Sequence, residues 1–156
     1  MAALYNKKSK SDLLDDLRNE PFDRTTISFY KYVAIKSPAI LRDELYETLN
    51  KINVLGRIYL SSEGINAQVS VPKDKLDIFR LIFKSSNLFN DVEVKEAVEE
   101  GISFIKLIIK VKDEIVAYNV PPDEYDMSKT GKHLSYKEFN KAIDNGGVII
   151  DMRNFY

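Results

Sequence analysis

The chain has 156 residues, 23 of them Lys or Arg and 24 Asp or Glu, for a formal net charge of −1. That length holds one ordinary domain with some chain left over, and the near-neutral balance offers no global basic field, so a nucleic-acid partner would have to be met by a local patch. The absence of Cys excludes a disulfide framework, a zinc ribbon or a thiol nucleophile within these residues. No apolar run approaches the roughly 20 residues that span a bilayer, and the Lys- and Asp-rich start lacks a signal peptide's apolar centre, so a cytoplasmic protein is expected.

Residues 1–24 read as a polar arm, with Ser11 as the cap of a short helix over Asp12 to Arg18 and Leu13, Leu14 and Leu17 as a small apolar stripe that could dock on the domain. From Thr25 to Ile35 β-branched and aromatic residues predict a strand, with Ile27, Phe29, Val33 and Ile35 on one face and Ser28, Tyr30 and Tyr32 on the other. Ser37 before Pro38 is a helix-start pattern. Leu41, Leu45, Leu49 and Ile52 then recur at helical spacing over about 14 residues.

Gly56 to Val71, GRIYLSSEGINAQVSV, holds two alternating runs joined by a short polar turn and predicts a β-hairpin. Ile58 and Leu60 oppose Arg57 and Tyr59; Ile65, Ala67, Val69 and Val71 oppose Asn66, Gln68 and Ser70. Ser61 to Gly64 make the turn, where Gly64 can take a positive φ.

Pro72 ends the hairpin, and Leu76, Phe79, Ile82 and Phe83 stripe a second helix with Asn87 and Asn90 at its exit. Acid-rich residues 91–101 read as a solvated loop with a short edge strand over Val92 to Val94. Ile102 to Val111 alternates again as a fourth long strand, with Phe104, Lys106, Ile108 and Lys110 on its polar-face side. Residues 25–112 thus follow the βαββαβ order of an α+β, ferredoxin-like domain: one antiparallel sheet with two helices on one face.

Glu114 to Tyr118 could add a short strand, and residues 113–133 read as a linker. Ser135 and Glu138 then form a capping box, Leu134 and Phe139 have the spacing of a hydrophobic staple, and Gly146 and Gly147 end the helix. Val148 to Asp151 read as a short apolar strand. A helix and one strand cannot bury their own faces, so residues 134–156 are expected to be the poorly packed opening of a second, truncated domain.

Chemistry has few footholds. His133 sits before a helix cap, where a surface or capping role competes with a catalytic one. With one His and no Cys, the usual zinc or non-haem iron ligand sets cannot be assembled, so no metal site is expected. Glu63 is a candidate acid or base against the plainer reading of an exposed turn carboxylate. No phosphate loop, nucleophile elbow or dinucleotide fingerprint is present.

The uncovered sheet face is the better lead. Tyr30, Tyr32, Arg57, Tyr59, Lys106 and Lys110 are candidate RNA-binding residues on it, beside Asn66, Gln68 and Phe104, because aromatics interleaved with cations suit stacked bases and phosphates. Cover by the arm, the linker or another domain is the competing reading. The third strand offers Asn66, Gln68 and Ser70 in place of aromatics, so a standard RNA-recognition motif is not expected.

GRIYLSSEGINAQVSVP, the earlier FYKYVAI, and GKHLSYKEFN with VIIDMRNFY near the end resemble the TrhO family, the rhodanese-domain-containing tRNA uridine hydroxylases. The resemblance implies an N-terminal acylphosphatase-like domain followed by a rhodanese domain. It also implies oxygen-dependent 5-hydroxylation of the wobble uridine of tRNA, with dioxygen as co-substrate, any further cofactor unknown, and tRNA and the protein's own rhodanese domain as partners. The family's rhodanese cysteine lies beyond Tyr156, so no catalytic residue carries over and this chain alone is expected to be inactive. The signature Glu63, Gly64, Asn66 and Gln68 carries over without a role. A non-catalytic RNA-binding or interaction module of a rhodanese-type sulfurtransferase is the alternative. Acylphosphatase activity is disfavoured, since Ile35 to Pro38 lacks a glycine-rich, arginine-bearing loop.

Overall fold

The structure, a computed structural model, describes residues 7–96, 104–116, 124, 126, 129 and 131–151. It divides into two compact units, Met1–Asn119 and Val120–Tyr156.

The first unit opens with α1, Lys10–Arg18. Its cap is Ser9 rather than Ser11: the Ser9 hydroxyl accepts from the Asp12 N–H at 3.2 Å while the Asp12 carboxylate accepts from the Ser9 N–H. The reciprocal pair satisfies two otherwise orphaned donors, which Ser11 has no acid three residues on to match. Of the leucine stripe, Leu13 is buried and Leu14 and Leu17 are half-buried.

Strand β1, Arg24–Tyr32, ends earlier than expected, but its bonding continues: Val33 N–H donates to Glu63 O and Ile35 N–H to Ser62 O. Helix α2, Pro38–Lys51, starts at Pro38 as predicted, although the Ser37 side chain makes no capping bond. Its end is turned by Asn53 in the left-handed region (φ 56°), which lets the Val54 N–H reach back to Leu49 O at 3.1 Å. Strands β2, Leu55–Ser61, and β3, Gly64–Pro72, form the hairpin, with Ser61 paired to Gly64 and only Ser62 and Glu63 in the loop. One turn of 3-10 helix, Lys73–Lys75, leads into α3, Leu76–Lys84.

The sheet has five strands in the order β4-β1-β3-β2-β5. The ferredoxin-like pattern holds, but its fourth strand lies elsewhere than expected. Lys95–Glu96, β4, pairs antiparallel with Ile27 and Ser28, while Val92 and Val94 pack partly buried against the core instead of forming the edge strand. Strand β5 is Leu107–Val111 and runs parallel to β2 at the opposite edge. Residues 104–106 of the expected strand are not in it, and residues 101–103 lie outside those described. Alternation announces a strand, but the edge it joins and its direction depend on partners far away in sequence.

Register puts Ile27, Phe29, Ile58, Leu60, Ile65, Ala67, Val69, Leu107 and Ile109 on one face of the sheet. There they join Leu45 and Leu49 of α2 and Phe79 and Phe83 of α3 in one core. Aromatic edges close its α3 side: Phe83 lies 4.9 Å from both Phe29 and Phe79 and 6.0 Å from Phe89, centroid to centroid.

In the second unit α4 is Tyr136–Asp144, with the predicted capping box between Ser135 and Glu138. Gly146 takes φ 86° at its exit, and the Gly146 and Gly147 N–H groups return to Ile143 O and Ala142 O, both at 2.9 Å. Val148 to Asp151 form no strand and Val148, Ile149 and Ile150 are exposed, because an apolar run makes a strand only where another strand receives its hydrogen bonds. Glu114 to Val116 are likewise irregular; residues 117–118 and most of the expected linker lie outside the described residues. No helix among the described residues is long and apolar enough to cross a membrane.

Candidate nucleic-acid interface

The face of the sheet opposite the helices is ordered by the same register. Tyr30, Asn66, Tyr59 and Lys110 align across β1, β3, β2 and β5, and Ser28, Gln68, Arg57 and Ile108 form the next row. With strands about 4.8 Å apart, each row runs roughly 14 Å from its tyrosine or serine end to the β5 end. Tyr30 is 61% and Tyr32 38% exposed, their rings edge to face with centroids 6.4 Å apart. Arg57, Gln68 and Lys110 are exposed and Tyr59 is half-buried. Exposed rings beside cations offer stacking surface together with positive charge.

Lys106 stands exposed at the margin of this face, just ahead of β5, while its carbonyl accepts from the Gly56 N–H at 2.9 Å; Phe104 is half-buried. The structure therefore brings Tyr30, Tyr32, Arg57, Tyr59 and Lys110 together, with Lys106 beside them.

The face is bounded at both ends. At one, Leu13 and Leu17 of α1 share a cleft of about 170 Å³ with Arg24, Asn53, Leu55 and Ile105. At the other, residues 113–116 cross near the hairpin tip, where the Asn66 side-chain N–H donates to Ile115 O at 3.2 Å. Cover by the arm, the competing reading for this face, is partial among the described residues.

Glu63 is no exposed turn carboxylate: it is 7% exposed, and its Oε1 accepts from the Ile115 N–H at 2.7 Å. Gly64 matters for closeness as much as for φ, because a Cβ there would lie 2.1 Å from Lys31 O. Of the signature, only Gln68 is left exposed on the open face. His133 is exposed ahead of α4. Among the described residues no group of three or more His, Cys, Asp or Glu side chains is placed to hold a metal ion.

Two groups escaped the sequence reading. Arg24 donates to Asn53 O at 2.9 Å and Ser70 O at 3.1 Å as well as to Glu20, joining three loops and strands. Ile115, 4% exposed, is the residue held by the signature. Apart from Glu20, four residues before Arg24, their partners lie 29 to 52 positions away, where no local pattern announces them.

Residues 24–115 match the family model of the UPF0176 acylphosphatase-like domain. The chain belongs to that family. The resemblance to TrhO is borne out by the relatives of this UPF0176 member. It is 45% identical over 155 residues to a tRNA uridine(34) hydroxylase of Leptospira interrogans serovar Lai, covering 98% of this chain and 42% of that protein. It is 42% identical over 159 residues to the tRNA uridine(34) hydroxylase of Salmonella typhimurium, covering 100% of this chain and 45% of that one. The UPF0176 chain thus spans less than half the length of these curated relatives. Among solved structures, full-length HypF in its phosphate- and nucleotide-bound form aligns with a TM-score of 0.42 at 17% identity, over 57% of this chain and 12% of that one, a likeness that carries no argument.

Proposed function

We propose that this chain is the N-terminal part of an oxygen-dependent tRNA hydroxylase that acts on the wobble uridine, and that its open sheet face binds or positions the tRNA. The observation that carries the second half is the alignment of Tyr30, Asn66, Tyr59 and Lys110 in one cross-sheet row beside Arg57. The first half rests on relatives named tRNA uridine(34) hydroxylase that match the whole of this chain. Dioxygen is the co-substrate on this reading. The group that activates it is assigned to no residue here, and this chain contributes orientation, which counts in rate only once the reactive group is present.

The test is a gel shift of this chain with unmodified tRNA across a salt series. Replacing Arg57, Lys106 and Lys110 with Ala is expected to weaken binding and flatten its salt dependence, by roughly 0.7 to 0.9 in log–log slope for each phosphate left without its cation. Unchanged affinity and slope would refute the face. Incubation under air with a chain extended through the rhodanese cysteine, read by mass spectrometry for 5-hydroxyuridine, tests the chemistry separately. Product is expected from the extended chain and not from the short one.

A further inference from the structure

The signature that the sequence leaves without a role begins at the hairpin tip, and two of its polar side chains, Glu63 and Asn66, converge on the backbone of one residue. The Ile115 N–H donates to Glu63 Oε1 at 2.7 Å, and the Ile115 carbonyl accepts from Asn66 Nδ2 at 3.2 Å. We propose that Glu63 and Asn66 form a latch on Ile115 that sets the point at which the chain leaves the sheet.

Three observations support it. Residues 112–116 belong to no helix or strand, and Lys112 N–H makes the last bond of the β5 side, to Leu60 O at 2.8 Å. A buried peptide beyond that point needs partners from side chains, and these two residues supply both. Second, Glu63 itself is held rigidly. Its N–H donates to the buried Ser61 hydroxyl at 3.1 Å, its carbonyl accepts from Val33 N–H at 2.8 Å, and Gly64 lets the tip close against the Lys31 and Tyr32 backbone. Third, the Ile115 side chain is buried although Glu114 and Val116 on either side are not.

The arrangement gives each signature residue a distinct part. Glu63 and Asn66 grip, Gly64 allows the close approach, and Gln68 stays on the open face. Through its bond to the Ile115 N–H the Glu63 carboxylate serves as a positioning group. The latch is independent of whether the open face binds tRNA.

Because the chain has no Cys, nitroxide labels on Ser28→Cys and Val116→Cys report a single distance by pulsed dipolar spectroscopy, and amide exchange at Ile115 reports the grip. The parent and Glu63→Gln, which keeps a carbonyl acceptor, are expected to give a narrow distance distribution and a protected Ile115 amide. Glu63→Ala and the Glu63→Ala/Asn66→Ala pair should broaden the distribution and speed Ile115 exchange at least about tenfold, with Ile65 and Val69 amides unchanged. A narrow distribution with slow Ile115 exchange in the double variant would overturn the latch. So would loss of Ile65 and Val69 protection in both Glu63→Ala and Asn66→Ala, which would make these residues determinants of the fold as a whole.

Discussion

Glu20 and Arg24 meet in a two-pronged ion pair, with Nε 2.6 Å from Oε2 and Nη2 2.6 Å from Oε1. Their side chains are only 20% and 10% exposed, so solvent screens the pair weakly. Arg24→Ala also strips donors from Asn53 O and Ser70 O, and is expected to cost about 2 to 4 kcal/mol in urea unfolding. Glu20→Ala should cost less, because Arg24 keeps its two carbonyl partners. Equal, negligible losses in both variants would show that the pair contributes nothing net.

Gly64 and Gly131 make a matched comparison. A Cβ on Gly64 would sit 2.1 Å from Lys31 O, whereas one on Gly131 would have nothing within 4 Å. Gly64→Ala is expected to destabilise the first unit by at least about 2 kcal/mol, since main chain rather than a flexible side chain must give way. Gly131→Ala should leave its unfolding midpoint unchanged. Thermal unfolding of the two variants side by side is the measurement.

The start of α4 carries a pH signature. Lys132 Nζ, 2.6 Å from Glu138 Oε1, together with the N–H and hydroxyl of Ser135, holds the Glu138 carboxyl down from 4.5 to about 2. Because the folded value lies below the unfolded one, the contribution to the helix start is complete above about pH 4.5 and is lost as pH falls from there through about 2. Carbon-detected titration of the Glu138 side chain should find the low midpoint, and Lys132→Ala should raise it. A midpoint at the ordinary glutamate value in the parent chain would mean that the box is not formed.

Tyrosines and cations on the open face are expected to fail differently. Tyr30→Ala and Tyr32→Ala should weaken tRNA binding by about 1 to 3 kcal/mol per stacked base while leaving the salt slope intact. Lys110→Ala should reduce the slope itself. Fluorescence anisotropy at four salt concentrations separates the two; a slope change in the tyrosine variants would remove stacking from the account.

Much of the first unit was legible because its signals are local. Alternation of Ile58 and Leu60 against Arg57 and Tyr59 assigns each residue a face before any partner is known, and the two-residue loop aligns β2 with β3. The same parity placed Tyr30, Tyr32, Arg57, Tyr59 and Lys110 together. It failed where the signal was local but ambiguous: Ser9 and Ser11 both stand at the start of the helical pattern, but only Ser9 has an acid, Asp12, three residues on, and Ser11 falls inside the first turn of α1.

By itself, then, the sequence determined the order of elements from β1 to α3 and the side of the sheet on which their residues stand, since both follow from spacing along the chain. Tertiary structure alone decided that β5 joins β2 in parallel, that Lys95–Glu96 closes the other edge, and that Glu63 is buried against Ile115. Those outcomes turn on pairings between residues up to 69 positions apart, as Ile27 is from Glu96. A buried N–H takes whichever acceptor the fold brings to it, and no pattern along the chain names that acceptor in advance.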